Sequence, residues 1–575
     1  MENGDAPKVW PRLAALAAGP VVGGLVYGLM SNGSGAPASA CVTAGIAVWM
    51  AVWWMTEAIP LAATALIPIV SFPFAAVYQS EWSPGLQVSV VPATNQTGSV
   101  GDGETSWTGV LVKPVEDGWL VAPGAEGETV VVASSQIRPP KLPQKNQFKT
   151  ALLPYANKFV FLFLGGFLIA QAIQRWGLHR RMALNILLRV GSSPARLVGG
   201  FMLSTALMSM WLSNTATTIV MLPVAGSLIN QFRQQREDDG RTSDNANPSQ
   251  DTFAICLMLA IAYSATIGGI STLIGTPPNA LLATQMEELG TPIPFATWMF
   301  AALPLSAVLL VVTWWLLVKL FFPLKQRAVE SSRDYLLGQL RQLGKISTAE
   351  LGTCCVFASV ALLWIFRTPI SNWDWLVSQW PYAGRLDDSM IAVAGALVLF
   401  MLPVQIRPLK FALDWEHAKK IPWEILLLFG GGLSLSKAIN SSGLGQWLGE
   451  SVAGMHGGSQ MIFILVVVLT VIFLTEFSSN LATAALFLPL LASLAPQILL
   501  ADGSPLNPAA LMIPTALAAS CAFMLPVATP PNAIVFGSGN LQIRHMVKAG
   551  IWLNLIGAVL ITIWTMTYGR WLLGF

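Results

Sequence analysis

Ser213-Asn214-Thr215-Ala216-Thr217 and the near-copy Ser479-Asn480-Leu481-Ala482-Thr483 are short polar patches inside long apolar runs. The first lies in FMLSTALMSMWLSNTATTIVMLPV and the second in VIFLTEFSSNLATAALFLPLL. Of the 575 residues, 54% are hydrophobic and only 11% charged, against about 25% charged in a soluble domain. Many apolar stretches approach the roughly 20 residues that cross a bilayer. The chain therefore reads as an all-α polytopic membrane protein. Lipid offers polar groups no partners, so patches at that depth must face each other, a cavity or a ligand. The apolar arms beside each patch are short for a full span, which is the pattern of a re-entrant helical hairpin with a polar tip.

Working outward, the same landmarks occur in the same order in both halves. FVFLFLGGFLIAQAI (159–173) and EILLLFGGGLSLSKAI (424–439) each precede a Ser-Asn patch. From Gly165 to Ser213 is 48 positions and from Gly430 to Ser479 is 49. Each patch is followed by an apolar segment broken by Pro-Pro-Asn: Gly275-Thr276-Pro277-Pro278-Asn279 and Ala528-Thr529-Pro530-Pro531-Asn532. Two such matches in register are read as a repeat, and matching broken segments in two halves point to a transporter's binding site.

The remaining spans are expected at 13–30, 40–56, 61–77, 297–323, 351–366, 390–405 and 551–568. With the hairpins and broken helices this makes about eleven transmembrane helices. The domains are 1–38 (N-terminal segment and first span), 39–330 (first repeat), 331–350 (cytoplasmic linker) and 351–575 (second repeat). Residues 79–150 alternate as in LQVSVVP and TVVVASSQI, and are expected to form a small β-rich extracytoplasmic insertion. Asn95-Gln96-Thr97 within it matches a glycosylation sequon. The segment carrying Arg175, Arg180, Arg181 and Arg189 reads as amphipathic and laid along an interface, with Arg175 and Lys437 snorkelling at span ends. With the N-terminus in the cytoplasm, the inside segments hold 22 of the 32 Lys and Arg. That count places the C-terminus outside and makes the two repeats inverted, one hairpin entering from each side.

Asn supplies a carbonyl oxygen to a cation and an NH2 to an anion, so Asn214 and Asn480 can meet both. Broken helices free carbonyls that suit Na+ at one end, and N–H groups with a positive dipole that suit a carboxylate or sulfate at the other. Glu476, beside the second patch, and Glu57, at the end of a span, are read as structural partners. No clustered Asp or Glu appears in these segments, which argues against proton-relay coupling. The net charge of +3 does not point to nucleic acid. The five Cys and four His have neither metal nor disulfide spacing. No cofactor is expected beyond Na+ as coupling ion.

The segments MSMWLSNTATT, TLIGTPPNALL, LTEFSSNLATAALFLP and FMLPVATPPNAIVFGSG resemble the divalent-anion/sodium symporter family, the sodium-coupled dicarboxylate, citrate and sulfate carriers. The resemblance covers nearly the whole chain apart from 79–150. It implies a homodimer with an elevator-like moving part, one sodium site per hairpin, and the anion between the tips. By resemblance the first sodium site uses Ser209, Ser213, Asn214 and Gly275, and the second uses Thr475, Ser478, Asn480 and Ala528. The substrate meets Ser213, Asn214, Thr215, Thr276 and Pro277, and from the other half Ser479, Asn480, Thr529 and Pro530. Leu481 departs from the pattern, standing where bacterial dicarboxylate members commonly have Thr. The insertion is also unusual for the family and is read as ornament or dimer support.

The expected function is sodium-coupled import of di- or tricarboxylates such as succinate, across the cell (inner or plasma) membrane. The alternatives are an anion exchanger or sulfate carrier on the same fold and, from another class, an intramembrane enzyme. The last needs a nucleophile–base pair or metal cluster that the sequence does not offer, so the chain is read as no enzyme.

Overall fold

The computed structural model describes residues 9–33, 35–78, 87–90, 107–115, 118–122, 130–132, 137–138, 144–191, 193–238, 251–324, 331–452, 459–500 and 503–575. It is a helical protein. Eight described helices are long and apolar enough to cross a membrane, and four shorter apolar helices accompany them. The central one, Thr252–Ile270, is apolar all round and entirely buried, as expected of a helix surrounded by others.

Around it the two halves interlock. In each half the hairpin packs on the first piece of the broken helix. In the first half the arms Pro194–Ser209 and Asn214–Asp238 lie against Thr252–Ile270, and in the second Gln460–Thr475 and Asn480–Leu494 lie against Ala509–Ala519. The second pieces are exchanged. Pro277–Glu288 packs on Asn480–Leu494 and Ala509–Ala519 of the other half, and Pro530–Phe536 packs on Asn214–Asp238 and Thr252–Ile270. A two-fold relation between repeats requires this reciprocal pairing.

The Gly-Gly landmarks serve close helix packing. A Cβ at Gly165 in Lys158–Arg175 would collide with the Ala392 backbone of Asp388–Met401. A Cβ at Gly431 in Trp423–Ser441 would collide with Ala65. Side chains there would force the helices apart, which a close-packed interior does not absorb cheaply.

Several expected elements differ. The span at 61–77 is two short helices, Leu61–Thr64 and Ile67–Phe74. The freed Ala65 carbonyl accepts from the Tyr155 hydroxyl, which makes the break tolerable. The span at 390–405 stops at Met401. Pro403 holds Leu402 extended (ψ 107°), and a two-stranded hairpin, Pro403–Ile406 with Leu409–Phe411, follows. The linker contains the helix Ser331–Gln342.

The insertion is β-rich as expected. Strands β1 (Gln87–Val90), β2 (Trp107–Val115), β3 (Gly118–Ala122), β4 (Val130–Val132) and β5 (Ile137–Arg138) form an antiparallel sheet in the order β4-β3-β2-β1-β5. Val90 stands opposite both Trp107 and Ile137. The end of the expected β region is instead a helix, Gln144–Leu152. Gln147 donates to the Tyr78 carbonyl (2.7 Å) and accepts from the Tyr78 N–H (3.0 Å), clasping entry and exit of the insertion. The sequon at Asn95 lies outside the described residues.

The basic segment is not simply laid on an interface. Arg175 pairs with Asp414 at 2.8 Å rather than snorkelling. Arg181, on the helix Leu178–Val190, is buried against Glu350 (2.9 Å) and donates to the carbonyls of Leu343 and Gly344. It ties the helix Leu178–Val190 to the turn at 343–344 and to the first turn of the helix Thr348–Ser371. Arg181→Ala leaves Glu350 buried without its partner. The expected cost is about 3 kcal/mol or more, read as a lowered melting temperature of the purified protein. Arg180, which is exposed, is expected to tolerate the same change.

Candidate functional site

Both Ser-Asn patches sit at the turn of a hairpin, and each Asn is oriented by a hydroxyl five residues earlier. Ser209 Oγ donates to Asn214 Oδ1 at 2.6 Å. Thr475 Oγ1 donates to Asn480 Oδ1 at 2.9 Å and lies 3.1 Å from the Ala519 carbonyl. Ser209 and Thr475 are fully buried, while Ser213, Asn214, Thr215, Ser479 and Asn480 are half-buried. The tip residues are therefore more accessible than the hydroxyls that support them.

The breaks lie against the tips. Gly269 is so close to the first tip that a Cβ there would stand 2.6 Å from Asn214 Oδ1 and 3.0 Å from the Gly275 carbonyl. Ser209, Asn214, Gly269 and Gly275 thus form one cluster of neutral oxygens, with the Ser213 hydroxyl accepting from Ala216 N–H at 3.2 Å. In the second half Thr475, Asn480 and Ala519 are joined by hydrogen bonds. Ser478 and Ala528 are buried, and the Ser478 hydroxyl meets that of Thr483 at 2.6 Å. Thr276 Oγ1 lies 3.4 Å from Ser520 Oγ, where the breaks of the two halves touch. Thr276 and Thr529 are buried N-caps, Pro277 is half-buried and Pro530 exposed.

Three helices of 25, 12 and 15 residues begin here, at Asn214, Pro277 and Asn480. The helices at Asn214 and Asn480 offer their first N–H groups and positive dipole ends to an anion, whereas the helix at Pro277 opens with two prolines that carry no N–H, and Asn279 N–H is bound to the Thr276 carbonyl, so it contributes only its dipole. At each tip, neutral oxygens suited to a hard cation lie beside a helix N-terminus suited to an anion.

Sequence reasoning left several contributors unassigned. The last residue of each Pro-Pro-Asn closes the break: Asn279 donates to the carbonyls of Ile270 and Thr272 (both 2.9 Å), and Asn532 to those of Ala522 (3.2 Å) and Leu525 (3.0 Å). The duplicated Asn was the available signal. Thr272, whose hydroxyl donates to the Met210 carbonyl and accepts from Gly275 N–H, ties the first break to the first tip. Leu481 is buried, 5% exposed. Glu476 is a buried structural partner, as expected, and Glu57 ends the helix Ala38–Thr56 in a left-handed conformation.

Compared with known proteins, residues 7–575 match the family described as the sodium:sulfate symporter transmembrane region. This chain belongs to the sodium:sulfate symporter family. Relatives in the family include the sodium-dependent dicarboxylate transporter SdcS of Staphylococcus saprophyticus. It is 35% identical over 520 residues, covering 90% of this chain and 84% of the relative. The SdcS of Staphylococcus aureus (strain USA300) is 35% identical over 518 residues, covering 90% and 83%. Among solved structures, the Alcanivorax borkumensis YdaH transporter aligns with a TM-score of 0.42 and 14% identity, over 79% of this chain and 93% of that one. As a symporter-family protein with eight span-length apolar helices among the described residues, the chain is an integral membrane transporter.

Proposed function

We propose that this protein is a sodium-coupled symporter that imports a di- or tricarboxylate such as succinate. The observation that carries the reading is the duplicated Asn, held by a buried hydroxyl at each hairpin tip. Both relatives named above are sodium-dependent dicarboxylate transporters, which supports the carboxylate over sulfate. Na+ occupies the oxygens of Ser209, Ser213, Asn214 and Gly275, and those of Thr475, Ser478, Asn480 and Ala528. The anion lies between the tips, on Ser213, Asn214, Thr215, Thr276 and Pro277 from one half and Ser479, Asn480, Thr529 and Pro530 from the other. Each Asn touches both ions, so each ion improves the other's site; shared ligands are the coupling.

Transport proceeds by elevator-type alternating access in a homodimer in the cell membrane. The N-terminus is cytoplasmic and the C-terminus and insertion extracytoplasmic, with repeats at 39–330 and 351–575 joined by the linker 331–350. The two tips differ in a way that supports alternation. Trp211 is ring-stacked with Phe295 and Trp364, while Phe477, at the same place before the second Asn, is 72% exposed.

The test is uptake of labelled succinate into liposomes containing the purified protein. Replacing Na+ by choline outside is expected to reduce the initial rate about tenfold or more, within the usual range of coupling energies. Uptake indifferent to Na+ overturns symport. Competition by citrate and sulfate ranks the anions, and uptake that needs a trapped internal anion identifies an exchanger.

A further inference from the structure

The hairpins and broken helices interlock into one core. Beside it stands a second group of helices. Lys158–Arg175 packs on Asp388–Met401, with Gly165 against Ala392, and touches Trp423–Ser441, where the Phe163 and Phe429 rings lie 4.9 Å apart. These three helices form a frame.

Core and frame are joined by polar contacts at the end of one core helix, Pro277–Glu288. Glu287, in its last turn, pairs with Lys158, the first residue of Lys158–Arg175. Lys158 also lies 3.5 Å from Asp387, the N-cap of Asp388–Met401, so the frame holds the lysine in place. Two positions before Glu287, Gln285 Oε1 accepts from the Ser436 hydroxyl of Trp423–Ser441 at 2.9 Å, and both side chains are buried. The same helix end is thus tied to two frame helices. Its counterpart in the second half is built differently. Pro530–Phe536 and the turn 537–540 after it carry no charged residue. There Asn540 Oδ1 accepts from Arg233 Nη2 at 2.7 Å, and Arg233 belongs to the core's own arm Asn214–Asp238. Of two related helix ends, one grips the frame by charge and the other grips the core. Under the topology proposed above, the first is extracytoplasmic.

We propose that Lys158 and Glu287 form a one-sided latch: their ion pair, placed by the Gln285–Ser436 hydrogen bond, holds the core to the frame in one of the two alternating states and opens on the way to the other. The inference rests on the elevator reading above. A contact made in only one state stabilises that state alone. The side chains are 43% and 30% exposed, so the pair acts as a surface ion pair, weak enough to open in every cycle.

The test uses the full-length protein in liposomes, with Cys354→Ser and Cys355→Ser removing the two cysteines that are not buried. Lys158→Cys with Glu287→Cys is treated with a short bifunctional thiol reagent that a reductant cleaves. Bridging is expected to lower Na+-driven succinate uptake about tenfold or more, and reductant to restore it. Lys158→Cys with Asp387→Cys, bridged within the frame, is expected to keep its uptake. The charge is tested separately, without bridging. Glu287→Gln and Lys158→Gln are each expected to raise the maximal uptake rate about two- to fivefold, the usual worth of such a pair, with melting temperature unchanged. The double variant is expected to gain no more than either single one, because the two residues act as a unit. A merely structural role would lower the melting temperature and leave the rate no higher. Uptake that survives the Lys158–Glu287 bridge defeats the elevator reading, and the latch with it. Failure of the two cysteines to bridge, or a block that appears equally with the bridge inside the frame, overturns the proposal. A block by the first bridge alone, with no rise in rate in the charge variants or with their effects multiplying, defeats the latch and leaves the elevator reading standing.

Discussion

Asn214→Ala and Asn480→Ala each reduce sodium-driven succinate uptake by about a hundredfold or more, with the protein still folded. The size follows from what one amide does. Its oxygen is the acceptor for Ser209 or Thr475 and, in the proposed sites, a cation ligand; its NH2 is a donor to the anion. Hydrogen bonds to charged groups contribute about 1.5–3 kcal/mol each, and losing the acceptor of the buried Ser209 hydroxyl costs about 1–3 kcal/mol in the first half, whereas Thr475 keeps the Ala519 carbonyl. Two lost ionic contacts amount to about 3–6 kcal/mol, and each 1.4 kcal/mol is a factor of ten. The fold survives because both side chains are half-buried at turns rather than packed in the core. Initial uptake rates in liposomes, with melting temperature as the control for folding, check this. Asn214→Asp separates the roles: the oxygen remains and the NH2 becomes a second anionic oxygen. Na+ binding without substrate is expected to persist while succinate uptake is lost by charge repulsion. Wild-type uptake in either alanine variant removes the residue from the site.

Much of this architecture is legible in the sequence because membrane depth makes polar residues conspicuous. Ser213-Asn214 and Ser479-Asn480 stand out against their apolar arms, and the repeat doubles the signal. The structure brings Ser209 to Asn214 and Thr475 to Asn480 as hydrogen-bonded pairs. What stayed hidden was whatever depends on tertiary contact. The break at Ala65 is sealed by Tyr155, 90 positions away. Arg181 looked like an interfacial cation because its partner, Glu350, lies 169 positions on. Gly268 and Gly269 both lie in the helix Thr252–Ile270. Their function is to let the helix approach the first hairpin, Gly268 against Ala206 and Gly269 against Asn214. Periodicity carries no record of such an approach.

That contact yields the second large effect. Gly269→Ala adds one methyl group, and its Cβ would stand 2.6 Å from Asn214 Oδ1, 3.3 Å from Asn214 Cγ and 3.0 Å from the Gly275 carbonyl. Something must move. The backbone of Gly275 is held by its N–H bond to Thr272 (3.1 Å), and the Thr272 hydroxyl is in turn bound to the Met210 carbonyl, so the Asn214 amide is the part free to swing. It then breaks the 2.6 Å bond from Ser209 and leaves the oxygens of the first cluster out of register. Displacement by about 1 Å in such a constellation costs about a hundredfold in rate. Helix propensity runs the other way, since Ala in place of Gly favours a helix by about 1 kcal/mol. A loss of Na+-driven uptake without a fall in melting temperature is therefore the expected result, and it separates damage to the site from damage to the fold. Gly226→Ala is the control: its added methyl meets nothing within 4 Å, so uptake is expected to match wild type. If Gly269→Ala transports normally, the first hairpin tip is not held in the arrangement from which the cation site was built, and Asn214 has room that the contact with Gly269 denies it.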